Sequence, residues 1–75
     1  MTDDEFLKEL GHLLKFYRIK RGITQFQLSE MVDISEHRIS QIENGKCNLT
    51  LKTTNKIFQA LNISPFKIFQ IDDVK

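Results

Sequence analysis

The feature that most constrains this chain is the run from Gly22 to Lys46, where two segments of helical period are parted by a gap that only a tight turn can span. Thr24 with Gln27 three residues on is a capping-box pattern and opens the first segment. Leu28, and either Met31 or Val32, form its inner face, and it ends near Val32. Asp33 occupies the turn. Glycine adopts a left-handed turn most easily, and Asp tolerates it better than most residues. Ile34 then dips toward a core and Ser35 caps the second segment. Arg38 stands at the third helical position, where Glu or Gln would complete another box. Ile39 and Ile42 form the inner face, and Gly45 ends the helix.

The same period runs through the rest of the chain. Phe6, Leu7, Leu10, Leu14 and Tyr17 recur at spacings of three and four, which predicts a first helix from about Asp4 to Lys20. Gly22 closes it, with Arg18, Lys20 and Arg21 at its negative end. After a loop of Lys46, Cys47, Asn48 and Leu49, Thr50 caps a fourth helix reaching about Leu61. Its expected inner face is Leu51, Ile57, Ala60 and Leu61. Asn62 suits the turn that follows. Ser64 and Pro65 start a last short helix, strongly apolar through Phe66, Ile68, Phe69 and Ile71. No stretch alternates as a strand does, and there are no repeats, linkers or low-complexity tracts. The expected fold is all-α: five helices in one domain spanning residues 1–75.

With 75 residues such a domain has a marginal core unless it packs compactly or dimerises. No apolar run approaches the length that spans a membrane. The acidic start, Met1 to Glu5, lacks the layout of a signal peptide. One cysteine cannot make an internal disulfide, so a reducing cytoplasm is the expected location. Net charge is only +1, but the charges are patchy. Lys15, Arg18, Lys20 and Arg21 lie between Glu9 and Glu30 with no acid among them. Lys46, Lys52, Lys56 and Lys67 lie likewise between Glu43 and Asp72. That distribution permits a basic face.

Ile39 and Ile42 must point inward, which leaves Ser35, Glu36, His37, Arg38, Ser40 and Gln41 outward on a unit of the size that carries a helix into the major groove of DNA. Leu10, Gly11, Leu14, Lys15 and Arg18 resemble a known pattern. So do Gly22, Ile23, Thr24, Gln25, Leu28 and Ser29. Ile34, Ser35, Ile39, Ser40, Ile42, Glu43, Asn44, Gly45 and Lys46 continue it, followed by Ile57, Ala60, Leu61, Ile63 and Ser64. Together they are similar to the lambda-repressor/Cro-type helix-turn-helix family over residues 6–70 or so. Two residues depart from its pattern: Asp33 stands where glycine is common, and Phe26 where a polar residue is usual. Phe16 is also unusual for a solvated helix face. Either these rings pack on surface neighbours, or they form a patch for a protein partner.

The resemblance implies a five-helix lambda-repressor-like domain that regulates transcription as a homodimer on near-palindromic double-stranded DNA. It implies base contacts from Glu36, His37, Ser40 and Gln41. Gln41 suits adenine and Glu36 suits cytosine N4, though Glu36 equally suits a helix start. It implies backbone contacts from Thr24 and Gln25 at one helix start, from Arg38, and from Asn44 and Lys46 at one helix end. Thr50 and Lys52 would assist at the next helix start. Arg18 and Glu43 are expected to pair across the first and third helices, and Ser29 to be the small residue at a helix crossing. Phe66, Phe69 and Ile71 are the expected dimer surface. The loop and cap from Asn48 to Lys52 also resemble controller proteins of restriction-modification systems. A domain this small leaves no room for an effector module. The alternative, motivated by Phe16 and Phe26, is an antitoxin or other module whose main task is to bind a protein.

No cofactor and no metal is expected: His12 and His37 lie apart and no cysteine cluster joins them. His12 reads as an ordinary surface histidine near Glu9. Cys47 has no base beside it and reads as an inert exposed thiol rather than a redox sensor. No phosphate loop, nucleophile elbow or carboxylate pair is present, so an enzyme is not expected.

Overall fold

The computed structural model describes residues 1–70. They form four α-helices, α1 (Asp3–Lys20), α2 (Gln25–Val32), α3 (Glu36–Glu43) and α4 (Leu51–Ala60), followed by a 3-10 helix over Pro65–Gln70. The all-helical expectation holds, but the fifth element is not an α-helix. Six residues offer few i-to-i−4 bonds against the cost of nucleating a helix, and the i-to-i−3 pattern closes in less chain. The Lys67 amide accordingly donates to the Ser64 carbonyl at 3.0 Å.

Each α-helix is opened by a hydroxyl. Thr2, Thr24, Ser35 and Thr50 are the four N-caps, in extended backbone. Thr2 is the one the sequence reading passes over. It makes a reciprocal box with Glu5, the Glu5 amide donating to Thr2 Oγ1 at 3.2 Å and the Thr2 amide to Glu5 Oε1 at 3.1 Å. The Thr-x-x-Glu pattern that announces it is present at the chain start, and it moves the helix start from Asp4 to Asp3.

The helix ends share a device too. After α1, α3 and α4 the chain turns through a left-handed residue, Gly22, Gly45 and Asn62, while the next amide reaches back five residues. Ile23 donates to the Arg18 carbonyl at 3.0 Å, Lys46 to Gln41 at 2.9 Å and Ile63 to Phe58 at 2.8 Å. Asp33 plays this part in the α2–α3 turn, at φ 57 and ψ 47, and the Ile34 amide donates to the Ser29 carbonyl at 3.1 Å. Asp33→Gly is therefore expected to raise stability by roughly 0.5 kcal/mol. Relief of the left-handed strain outweighs the added freedom of the unfolded chain. The check is a urea midpoint that rises at unchanged slope.

α3 packs against α1 and α2, and α2 packs also against α4. The core between them consists of Leu10, Leu14, Leu28, Val32, Ile39, Ile42, Ile57, Phe58, Leu61 and Ile63. Val32, not Met31, is the buried member of its pair. Two expectations on α4 need correction. Phe58 is buried and Ala60 only half-buried. Leu51, expected inside, is 83% exposed. It lies on the stripe of Thr54 and Phe58, but at the first helical position, and none of the described elements covers that turn.

Candidate nucleic-acid interface

Arg18 on α1 and Glu43 on α3 join the first helix to the second helix of the motif. The Arg18 guanidinium donates from Nε to Glu43 Oε2 at 2.6 Å and from Nη2 to Oε1 at 3.1 Å. Its Nη1 donates to the Ile23 carbonyl at 2.8 Å, which ties down the turn between α1 and α2. Both side chains are buried, and the forked geometry lets one carboxylate neutralise one guanidinium in place.

Gly11 makes the α1–α3 approach possible. A Cβ there would fall 2.5 Å from the Ile42 carbonyl oxygen and 2.6 Å from that of Glu43. Gly45, at φ 70, turns the chain out of α3 with Lys8 pressed against it. Ser29, buried on α2, donates its hydroxyl to the Phe26 carbonyl at 2.6 Å. Arg21 stands at the end of α1 as expected, and its guanidinium also donates to the Leu61 and Asn62 carbonyls at 3.0 and 3.2 Å, closing the end of α4. A partner so far along the chain leaves no local sequence signal.

On this frame α3 turns two faces in opposite directions. Ile39 and Ile42 are buried. Glu36, His37 and Arg38, in the first turn, are exposed, and Ser40 and Gln41 are half-buried beside the isoleucines. Helical spacing puts His37, Ser40, Gln41 and Asn44 on one outward strip. Asn44 and Lys46 are exposed where α3 leaves for the loop. The Ser35 hydroxyl is used, accepting from the Arg38 amide at 3.1 Å.

Two helix starts flank that strip in sequence. At α2, Thr24 takes the Gln27 amide on its hydroxyl at 3.0 Å and the Leu28 amide on its carbonyl at 3.0 Å. The amides of Gln25 and Phe26, at the first two helical positions, have no carbonyl within the helix to bond. Gln25 is half-buried, and its amide nitrogen donates to Glu43 Oε1 at 3.1 Å. The sequence gives no warning of that bond. At α4, Thr50 takes the Thr53 amide on its hydroxyl at 3.1 Å, and Lys52 is exposed in the first turn.

The remaining candidates lie elsewhere. Phe66 and Phe69 are 71% and 73% exposed. Phe69 lines an apolar cleft of about 270 Å³ with Leu51, Thr54, Phe58, Pro65 and Ile68. Ile71 lies outside the described residues. Phe16 stands edge-on to Tyr17, ring centroids 5.3 Å apart, with the Lys20 ammonium 5.8 Å from its own ring centre. Phe26 is exposed. Cys47 is half-buried, not exposed, in a small cavity with Asp4, Leu7 and Lys46. His12 is exposed on α1. Among the described residues no group of three or more His, Cys, Asp and Glu could hold a metal ion, and no helix is long and apolar enough to cross a membrane.

The family described as "Helix-turn-helix domain" matches residues 11–74. The antitoxin HipB of Escherichia coli K12 is 38% identical over 56 residues, which are 75% of this chain and 64% of HipB. The chain thus spans less than two thirds of the length of the curated relatives it matches. Among solved structures, the restriction-modification controller protein C.Esp1396I, crystallised as a tetramer with its natural 35-base-pair operator, is similar at TM-score 0.77. It is 29% identical, covering 88% of this chain and 87% of that one. The clp gene regulator ClgR of Corynebacterium glutamicum superposes at TM-score 0.85 with 22% identity, covering 92% of this chain and 73% of that one, and so speaks to the fold alone.

Proposed function

Because this chain belongs to the helix-turn-helix domain family, as its Cro-type motif leads one to expect, we propose that it is a sequence-specific regulator of transcription, working as a single domain and as a homodimer on near-palindromic double-stranded DNA. One observation carries the reading. The first turn of α3 holds Glu36, His37 and Arg38 out to solvent while Ile39 and Ile42 anchor the helix from behind. In this reading α3 enters the major groove, and Glu36, His37, Ser40 and Gln41 meet base edges. Thr24, Gln25, Arg38, Asn44, Lys46, Thr50 and Lys52 hold the phosphates, with the open amides of the two helix starts beside them. The similarity to a controller protein crystallised on its operator supports both the DNA and the controller-like subtype. The work is binding, not catalysis, and belongs in the cytoplasm.

The dimer would form through the exposed rings of Phe66 and Phe69, with Ile71 beyond them. Exposed Leu51 lines the same cleft as Phe69 and extends that apolar surface. Selection from a random DNA pool tests the whole reading. It should return a two-fold symmetric consensus whose half-sites lie about one helical turn, roughly 34 Å, apart. Recovery of no consensus would end the sequence-specific reading. Two substitutions separate the contact classes. Gln41→Ala should relax preference at one position of the half-site. Lys46→Ala should weaken every site and flatten the slope of log affinity against log salt by about one.

The identity to an antitoxin favours a second reading, in which the chain also binds a protein partner. Phe16 and Phe26 are its candidate surface, although Phe16 is already engaged with Tyr17 and Lys20. A pull-down with wild type and a Phe26→Ser variant decides between them: a partner retained by the first and lost by the second supports it.

A further inference from the structure

We propose that Glu43 is a positioning residue for DNA binding, which fixes the rotation of the Gln25 side chain so that a free N–H of its amide is offered to a phosphate. The inference rests on the DNA-binding reading above. Glu43 Oε1 accepts from two donors at once, Arg18 Nη2 at 3.1 Å and Gln25 Nε2 at 3.1 Å. Oε2 accepts from Arg18 Nε. A carboxylate can only accept, so the nitrogen of the Gln25 amide, and not its oxygen, must face it. The two N–H bonds of a primary amide diverge by about 120°, so with one held by Glu43 the other points away from the buried pair. That group belongs to the first residue of α2, beside the two open backbone amides of the helix start.

With the opposite rotation, the carbonyl oxygen would approach the phosphate and repel it. Glu43 therefore removes a wrong rotamer before DNA arrives, and Arg18 holds Glu43 in place while cancelling its charge. The ordering cost of Gln25 is met on folding rather than on binding. The three residues come from α1, α2 and α3, so the phosphate contact at α2 is set by the same buried group that fastens α3 to α1.

The test is a mutant cycle read by affinity for sheared mixed-sequence duplex DNA, since a phosphate contact needs no particular site. Gln25→Ala in the wild type should weaken binding by about tenfold. The apolar pair Arg18→Met with Glu43→Leu removes the anchor and both buried charges. It should weaken binding to a similar degree after correction for folded fraction, and Gln25→Ala added to it should cost less than about twofold more. A purely structural role for Glu43 would leave the full effect of Gln25→Ala intact in that background, and that additivity overturns the proposal. If the apolar pair does not fold, side-chain amide resonances of Gln25 in the wild type decide. One proton shifted downfield in the free protein, and the other moving on addition of DNA, supports it. Both protons at the two ordinary positions of a solvent-exposed glutamine amide, with neither moving on addition of DNA, overturn it. Wild type that fails to bind duplex DNA at low salt overturns the DNA-binding reading itself, an outcome distinct from additivity.

Discussion

Gly11→Ala should destabilise the protein by about 2 kcal/mol, although alanine is by about 1 kcal/mol the better helix former. The sign follows from what the new methyl would meet. Its carbon would lie 2.5 Å from the Ile42 carbonyl oxygen, 2.6 Å from the Glu43 oxygen and 2.9 Å from the Glu43 carbonyl carbon. These are backbone atoms, which cannot swing aside as a side chain does. The Ile42 carbonyl also accepts from the Gly45 amide at 3.0 Å, inside the turn that ends α3. Relief must come either from moving α1 off α3 or from breaking that turn. A domain of this size holds roughly 4–11 kcal/mol, so the loss is a large share, and urea unfolding should show a lower midpoint. Loosening the crossing also displaces Glu43, so DNA affinity should fall beyond what the lost folded fraction explains. A variant more stable than wild type would mean that the two helices do not approach this closely.

The same crossing shows which parts of the structure can be read from sequence. The caps at Thr24, Ser35 and Thr50 and the turns at Gly22, Gly45 and Asn62 are legible because each motif is complete within about six residues. Inward faces are legible where neighbours exist on both sides, as for Leu28, Ile39 and Ile42. Leu51 fails because periodicity assigns it a face but says nothing of whether any element covers that turn. The last segment reads as a helix but does not show which kind, since the choice turns on a small difference in hydrogen-bond closure. Arg21 and Gln25 each hold a bond that local position does not announce, to a partner 40 or 18 residues away. The outward strip of α3 follows from the isoleucines alone. The Gln25–Glu43–Arg18 chain that braces its neighbour needs the tertiary fold.

Arg18→Met should cost about 3–5 kcal/mol, enough to leave much of the population unfolded. Its cost comes from what remains. The Glu43 side chain is 2% exposed, and without Arg18 its carboxylate keeps, among the described residues, the neutral Gln25 amide as partner. The Ile23 carbonyl loses its donor as well. Adding Glu43→Leu should recover most of the loss, because the apolar pair removes both charges and fills similar volume. The recovery separates two meanings of a buried ion pair. If the pair serves stability, the apolar replacement should fold poorly. If it serves geometry, the replacement should fold well and bind DNA badly, since Gln25 then has no acceptor. Thermal melts of the two single and the double variant, with the coupling taken from the cycle, should give an interaction of about 3 kcal/mol. A double variant no more stable than Arg18→Met would show that shape at this crossing, and not the stranded charge, sets the cost.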